Sequence, residues 1–125
     1  AGAKRAVLLP VSAPFHCALM QPAADAMDEA LGAVQINAPD VPVMANVTAA
    51  PVEDPGEIKR LLVEQVTGMV RWRDCVTQLK AQGIDTLVEI GSGKILAGLA
   101  RRIDREIAVQ NVGTPDEVEA FLASL

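Results

Sequence analysis

Short apolar runs alternate with amphipathic segments along this chain, and this alternation constrains the fold more than any other sequence feature. Each apolar run has the length of a single strand; the predicted strands are residues 6–11, 41–47, 86–90 and 107–112. Between them, apolar residues recur every three or four positions, as on one face of a helix. The predicted helices are residues 20–34, 54–66, 72–79, 95–103 and 114–125. Strands that alternate with helices predict an α/β fold with a mainly parallel sheet.

Two of the predicted helices carry their own start signals. Residues 54–57 (DPGE) and 114–117 (TPDE) each contain a capping side chain, a proline and a glutamate three residues after the cap. This arrangement allows a capping box and a proline in the first turn. The residues predicted to face inward on the last two helices are Ile95, Leu96, Leu99, Ile103, Val118, Phe121, Leu122 and Leu125.

Composition excludes several functional classes. Half of the residues are hydrophobic but only three are aromatic, so the core must be aliphatic. No apolar run approaches the roughly 20 residues that cross a bilayer, and no secretory signal is visible. The net charge of −5 disfavours nucleic-acid binding, which needs an excess of Lys and Arg. For Cys17 and Cys75, two buried thiols in a cytoplasmic protein are favoured over a disulfide, and a single histidine predicts no metal site.

The loop at residues 11–17 (VSAPFHC) carries the most informative side chain, His16. A histidine between a strand and a helix can act as a general base, because imidazole exchanges protons near neutral pH. Alternatively, His16 caps the helix or pairs with a backbone carbonyl. Gln65 is the second candidate, because it falls on the inward face of its predicted helix. It could orient a histidine by accepting from the ring N–H, or it could simply satisfy loop carbonyls at a helix end.

Residues 91–94 (GSGK) superficially resemble a phosphate-binding loop. Their spacing does not fit a Walker A motif, and Ser92 lacks the G-x-S-x-G context of a nucleophile elbow. We therefore expect a tight turn between strand and helix. Lys94, Arg101 and Arg105 share a face of the following helix, with Arg102 alongside. This positive stripe could steer an acidic partner, or it could be an ordinary solvated face whose arginines complement the helix dipole.

A series of short motifs then runs through the chain in order. They are residues 2–23 (GAKRAVLLPVSAPFHCALMQPA), 37–39 (NAP), 42–43 (PV), 46–47 (NV), 63–65 (VEQ), 70–72 (VRW), 89–94 (EIGSGK) and 99–103 (LARRI). Together they resemble bacterial malonyl-CoA:acyl-carrier-protein transacylases over nearly the whole chain. The resemblance implies the C-terminal part of an α/β-hydrolase-like acyltransferase core at residues 11–125. Residues 1–10 would be the last strand of a ferredoxin-like small subdomain.

The resemblance also implies site residues and partners. His16 matches the catalytic base, and Gln65 matches the residue that orients it through its side chain or its backbone carbonyl. Val11 and Phe15 match positions in the acyl pocket, where a bulky ring would crowd a methyl branch. The basic residues that would dock the acidic carrier protein are Lys94, Arg101 and Arg102. The substrates implied are malonyl-CoA and phosphopantetheinylated acyl carrier protein, with no separate cofactor.

One departure from the family pattern is large. The family nucleophile sits in a Gly-His-Ser-Leu-Gly elbow, and this sequence contains no such motif. Without a nucleophile covalent catalysis cannot start, so we expect the isolated chain to be inactive. One hypothesis is that it works with an N-terminal part carrying the serine in fatty acid biosynthesis. The alternative is a non-catalytic fragment that only docks acyl carrier protein.

Overall fold

The computed structural model describes residues 2, 6–8 and 10–125. A short 3-10 turn, Ala18–Met20, leads into helix α1 (Gln21–Gly32), and strands β1 (Val43–Ala45) and β2 (Ala50–Val52) follow. Helices α2 (Pro55–Thr67) and α3 (Trp72–Ala81) come next. The chain then runs through β3 (Thr86–Ile90), α4 (Ile95–Ile103), β4 (Ala108–Val112) and α5 (Pro115–Leu122). This order confirms the predicted α/β class.

The strands form two separate pairs in the part of the chain described. β1 and β2 are an antiparallel hairpin that pairs Val43 with Val52, and β3 and β4 are parallel. The parallel pair is joined through α4, as a parallel connection requires. The prediction of a mainly parallel sheet was therefore too simple, because β2 was missed. Pro51 lies in the middle of β2, and proline weighs against a strand when it is read from sequence.

The predicted first strand is wrong where the structure describes it. Residues 6–8, 10 and 11 adopt no strand, and Leu9 lies outside the described residues. Val7, Leu8 and Val11 are exposed. A strand needs a hydrogen-bonded neighbour, and neither strand pair in the described part of the chain includes this segment. The assignment of residues 1–10 to a small subdomain remains a prediction.

The helix starts follow the predicted chemistry with one difference. The Thr114 hydroxyl accepts from the backbone N–H of Glu117, and the Glu117 carboxylate accepts from the backbone N–H of Thr114. Together these bonds form a complete capping box. Asp54 also accepts from the Glu57 N–H at 2.7 Å. The Glu57 carboxylate, however, forms an ion pair with Arg60 one turn later. Helix α2 therefore has an N-cap hydrogen bond but not the reciprocal bond of a capping box.

The core is small and lies where α3 and α4 cover the parallel strands. Its buried centre is Val76, Ala100 and Ile107, and the partly buried residues around it include Trp72 and Leu87. The inward face predicted for α4 was right at Ile103, which packs against this centre, and wrong elsewhere. Ala97 and Ala100 are 2% and 1% exposed, whereas Ile95 is 75% exposed. Small residues let the helix approach the strands closely, while Ile95, Leu96 and Leu99 remain exposed.

The inward face predicted for α5 was also mostly wrong. Val118, Leu122 and Leu125 are exposed, and only Phe121 is partly covered. The cysteines are both free, with Cys75 buried and Cys17 half-buried; burial raises the pKa of the Cys75 thiol. None of the helices described is long and apolar enough to cross a membrane.

Candidate active site

His16 lies on a tight loop immediately before the first helical turn. Its φ is 55°, a left-handed conformation that is uncommon for residues other than glycine. Local bonds hold the loop on both sides. The Phe15 N–H donates to the Ala13 carbonyl at 2.9 Å, and the Cys17 thiol donates to the Pro14 carbonyl at 3.1 Å. These bonds therefore fix the position of His16 in the loop, where the residue is exposed.

The ring meets the C-terminal end of α2. Nδ1 of His16 lies 3.0 Å from the backbone carbonyl oxygen of Gln65, which is 49 residues away in the sequence. Gln65 is in the last turn of α2, where carbonyls lack a helical partner. Because a carbonyl only accepts, Nδ1 must carry the proton in this contact. Nε2 is then left unprotonated in the neutral ring and available to accept a proton from a substrate or nucleophile.

The side chain of Gln65 has different hydrogen-bond partners from its backbone carbonyl. Its Oε1 accepts from Nδ2 of Asn46 at 2.7 Å, and its Nε2 donates to the Gly68 carbonyl at 3.1 Å. The same Nε2 lies 3.5 Å from Nδ1 of His16. Both nitrogens carry hydrogen, so this approach is not a hydrogen bond. Of the two modes that the sequence left open, the structure has the backbone carbonyl in contact with His16.

Asn46 is the residue that sequence reasoning missed. It follows β1 directly, and its Oδ1 accepts from the backbone N–H of Arg71 at 3.1 Å. The Cys75 thiol also approaches Oδ1, at 3.8 Å. A polar side chain at the end of the apolar run 41–47 was the available signal, since a half-buried amide must find partners. Its partners could not be identified from the sequence, because they lie in other elements.

The other predicted site residues fall into two groups. Val11 and Phe15 share the loop of His16, and both are exposed. Lys94 precedes α4, whereas Arg101 and Arg102 lie in its last turn. The Arg101 guanidinium donates to the Val109 carbonyl at 2.7 Å, which holds it against β4. The structure thus brings His16 and Gln65 into contact and leaves the basic residues on a separate element.

Gln65 also borders an apolar cavity. The cavity has a volume of about 240 Å³ and lies between the β1–β2 hairpin and α2, and Asn46 and Gln65 line it.

At the other sheet, Glu89 accepts from the backbone N–H groups of Leu96 and Ala97 and from the Asn111 amide. These bonds, with that from Ala97 the strongest, hold the pKa of the Glu89 carboxyl below its ordinary value. Glu89 therefore anchors the start of α4 to the parallel strands.

Comparison with known proteins gives a consistent relationship. The chain is 41% identical over 124 residues to the malonyl CoA-acyl carrier protein transacylase of Bacillus subtilis. It is 43% identical over 122 residues to that of Escherichia coli K12. The chain is homologous to the malonyl-CoA:acyl-carrier-protein transacylases. These matches cover 99% and 98% of the chain but only 39% and 40% of the two transacylases. The chain therefore spans about two fifths of the length of these relatives. No family model matches it.

Solved transacylase structures agree with the sequence relationship. The acyl-carrier-protein S-malonyltransferase of Bartonella henselae is 60% identical with a TM-score of 0.87, and the match covers 98% of this chain and 39% of that one. A malonyl-transacylase solved in complex with a type II polyketide acyl-carrier protein has a TM-score of 0.85 at 37% identity, over 99% and 40% of the two chains. The mixed α/β arrangement is thus shared with transacylases, whose core is α/β-hydrolase-like.

Proposed function

We propose that this chain supplies the general base of a malonyl-CoA:acyl-carrier-protein transacylase, acting with a segment outside this chain that carries the serine. One observation supports this above all: the 3.0 Å contact that fixes the proton on Nδ1 of His16. It leaves Nε2 exposed and able to accept a proton, the state that a general base needs. The homology to transacylases supplies the reaction class.

The proposed reaction has two balanced steps. In the first, Nε2 of His16 takes the proton of the serine hydroxyl while the serine oxygen attacks the malonyl thioester carbon. Coenzyme A leaves as its thiol, with the proton returned by His16. In the second, His16 takes the proton of the phosphopantetheine thiol, whose sulfur attacks the malonyl-serine ester. The serine recovers its proton, and the malonyl group ends on the carrier protein.

Phe15 and Val11 are proposed to contact the acyl group. Both belong to the loop that fixes His16, and both present exposed apolar side chains. A ring next to the base limits the space beside the thioester carbon, so a methyl-branched acyl group would fit less well than malonyl. The proposed selectivity is steric, which limits its size, because one methyl group in a pocket is worth roughly 10- to 200-fold.

Arg102 and its neighbours are proposed to dock the acidic carrier protein. Arg101 is held by the Val109 carbonyl, and Lys94 lies at the opposite end of α4. Charges in such positions guide association more than they add affinity. We expect Arg102→Glu to weaken carrier binding roughly tenfold at low salt, with the difference shrinking as ionic strength rises. The matched control is Arg73→Glu, an exposed arginine on α3; equal losses in both variants would remove the docking assignment.

The catalytic proposal is tested in a chimera. This chain replaces the matching two fifths of the Escherichia coli transacylase, to which it is 43% identical. Intact mass after exposure to malonyl-CoA detects the acyl-enzyme, and transfer to carrier protein measures turnover. We expect His16→Ala to lower the transfer rate by roughly 10²- to 10⁴-fold, the usual contribution of a general base. The control Asn37→Ala, at an exposed position, should leave the rate unchanged.

Two results would contradict the proposal. The first is a chimera that transfers malonyl at the same rate with and without His16. The second is a folded chimera that never becomes acylated but still binds carrier protein, which would favour the non-catalytic docking fragment.

A further inference from the structure

Asn46 lies where three elements meet. It follows β1, and its side-chain amide uses both of its faces. Nδ2 donates to Oε1 of Gln65 in α2 at 2.7 Å, and Oδ1 accepts from the backbone N–H of Arg71 at the start of α3 at 3.1 Å. One half-buried side chain thus joins the end of α2 to the beginning of α3 across residues 68–70.

The end of α2 needs such a support. The last turn of a helix has free carbonyls and frays readily, yet the Gln65 carbonyl must stay 3.0 Å from Nδ1 of His16. The Gln65 side chain is held at both ends, by Asn46 at Oε1 and by the Gly68 carbonyl at Nε2. With its side chain fixed in this way, residue 65 has little freedom to rotate its carbonyl away from the ring.

We propose that Asn46 is a positioning residue that sets the tautomer of His16. It acts through Gln65, whose carbonyl holds the proton on Nδ1 and so keeps Nε2 free to accept one. The catalytic importance of this rests on the proposed function, whereas the positioning itself does not. Asn46 touches no reacting group, and its effect is on the geometry and protonation of the base.

The chemistry of the contact requires an amide at position 46. Gln65 Oε1 needs a donor and the Arg71 N–H needs an acceptor, and asparagine supplies one of each. A carboxylate would supply two acceptors and would face Oε1 without a proton between them. Turning the Gln65 amide over would not help, because Oε1 would then face the Gly68 carbonyl. Asn46→Asp should therefore lose the Nδ1–H tautomer of His16 almost as completely as the apolar variant Asn46→Leu.

The chain offers a direct test because it has a single histidine. Its imidazole gives one set of ¹⁵N resonances, which report the tautomer of the neutral ring without assignment ambiguity. We expect Nδ1–H in the wild-type chain. Asn46→Leu should shift the tautomer ratio toward Nε2–H by roughly tenfold, about 1.4 kcal/mol, which is the scale of one hydrogen bond.

The control is Asn111→Ala, which removes an amide that bonds to Glu89 between β3 and β4. It should leave the imidazole resonances where they are. If Asn46→Leu unfolds the chain, Gln65→Met carries the same test, because it removes the acceptor and keeps the backbone carbonyl. An Nδ1–H tautomer that persists in folded Asn46→Leu or folded Gln65→Met overturns the proposal.

The chimera separates this inference from the proposed function. If both hold, Asn46→Leu lowers kcat with little change in KM, and the loss lies in the proton-transfer step. If His16→Ala leaves transfer unchanged while Asn46→Leu still alters the tautomer, the proposed function fails and the positioning role stands. If Asn46→Leu leaves the tautomer ratio of His16 unchanged while His16→Ala abolishes transfer, the positioning role fails and the proposed function stands.

Discussion

Gly68 accepts a hydrogen bond from the side chain of Gln65, and replacing Gly68 with alanine should destabilise the chain. A Cβ at this position would lie 2.8 Å from Cγ2 of Val47 and 3.0 Å from the carbonyl oxygen of Glu64. The Glu64 carbonyl is fixed, because it accepts the Gly68 N–H at 2.9 Å. Val47 is β-branched and has few rotamers with which to withdraw.

The expected magnitude follows from two opposing terms. Inserting a methyl group into a packed position costs about 1–3 kcal/mol. Gly68 has a φ of −82°, which alanine adopts freely, so the substitution also recovers about 0.4–1 kcal/mol from the lower entropy of the unfolded chain. The net loss of unfolding free energy should be roughly 1–2 kcal/mol. The clash also falls on the segment that orients Gln65, so the His16 resonances should move.

Urea denaturation followed by circular dichroism measures the effect, with Gly98→Ala as the matched control. Gly98 lies inside α4, and a Cβ there would meet nothing within 4 Å. Alanine should therefore stabilise the chain by about 0.5–1 kcal/mol, the difference in helix propensity. The two substitutions are chemically identical and should have opposite signs. Equal stabilisation by both would refute the packing argument at Gly68.

Two further predictions concern caps and carboxylates. Thr114→Ala should lower the unfolding free energy by about 0.5–2 kcal/mol because it removes the α5 cap, whereas Thr77→Ala, inside α3, should leave it unchanged or slightly raised; equal losses in denaturation would contradict this. Backbone N–H groups hold the pKa of the Glu89 and Glu117 carboxyls below the ordinary value of 4.5, those of Ala97 and Gly113 contributing most. Because their folded pKa is depressed, the stability they contribute is complete above the unfolded pKa and is lost as pH falls through the folded one. Melting temperatures should therefore be level above about pH 5 and fall below about pH 4, and Glu89→Gln should flatten that fall; an equally steep fall in the variant would exclude Glu89 as a cause.

The elements that could be predicted are those specified by neighbouring residues. The start of α5 was predictable because its threonine, proline and glutamate act within four residues of one another, and β3 was predictable as an unbroken apolar run. The segment 6–11 has a similar apolar pattern, but its described residues, 6–8, 10 and 11, form no strand, since pairing depends on a neighbour that local sequence does not contain. Most of the inward face of α4 was wrongly predicted for a related reason. Periodicity showed that the helix has an apolar face, but close packing against the strands places the small Ala97 and Ala100 inward rather than the larger Ile95.

The candidate site divides in the same way. His16 stood out as the single histidine on a proline-containing loop, and Gln65 as a polar residue on an inward helical face. Their contact spans 49 residues and depends on where α2 ends in space. Asn46 could not be given a role from sequence, because its two partners belong to elements that only the folded chain brings together.

The contact between His16 and Gln65 has a thermal consequence. It joins an exposed loop to the last turn of a helix, and such ends open with far less free energy than the core. Each time the end of α2 frays, the Gln65 carbonyl would no longer hold the proton on Nδ1, while Val76 and its neighbours stay packed. On warming, His16 would therefore lose its alignment before the chain melts. In the chimera, where we propose that His16 acts as the base, acyl transfer would fall at temperatures where spectroscopy still reports a folded protein.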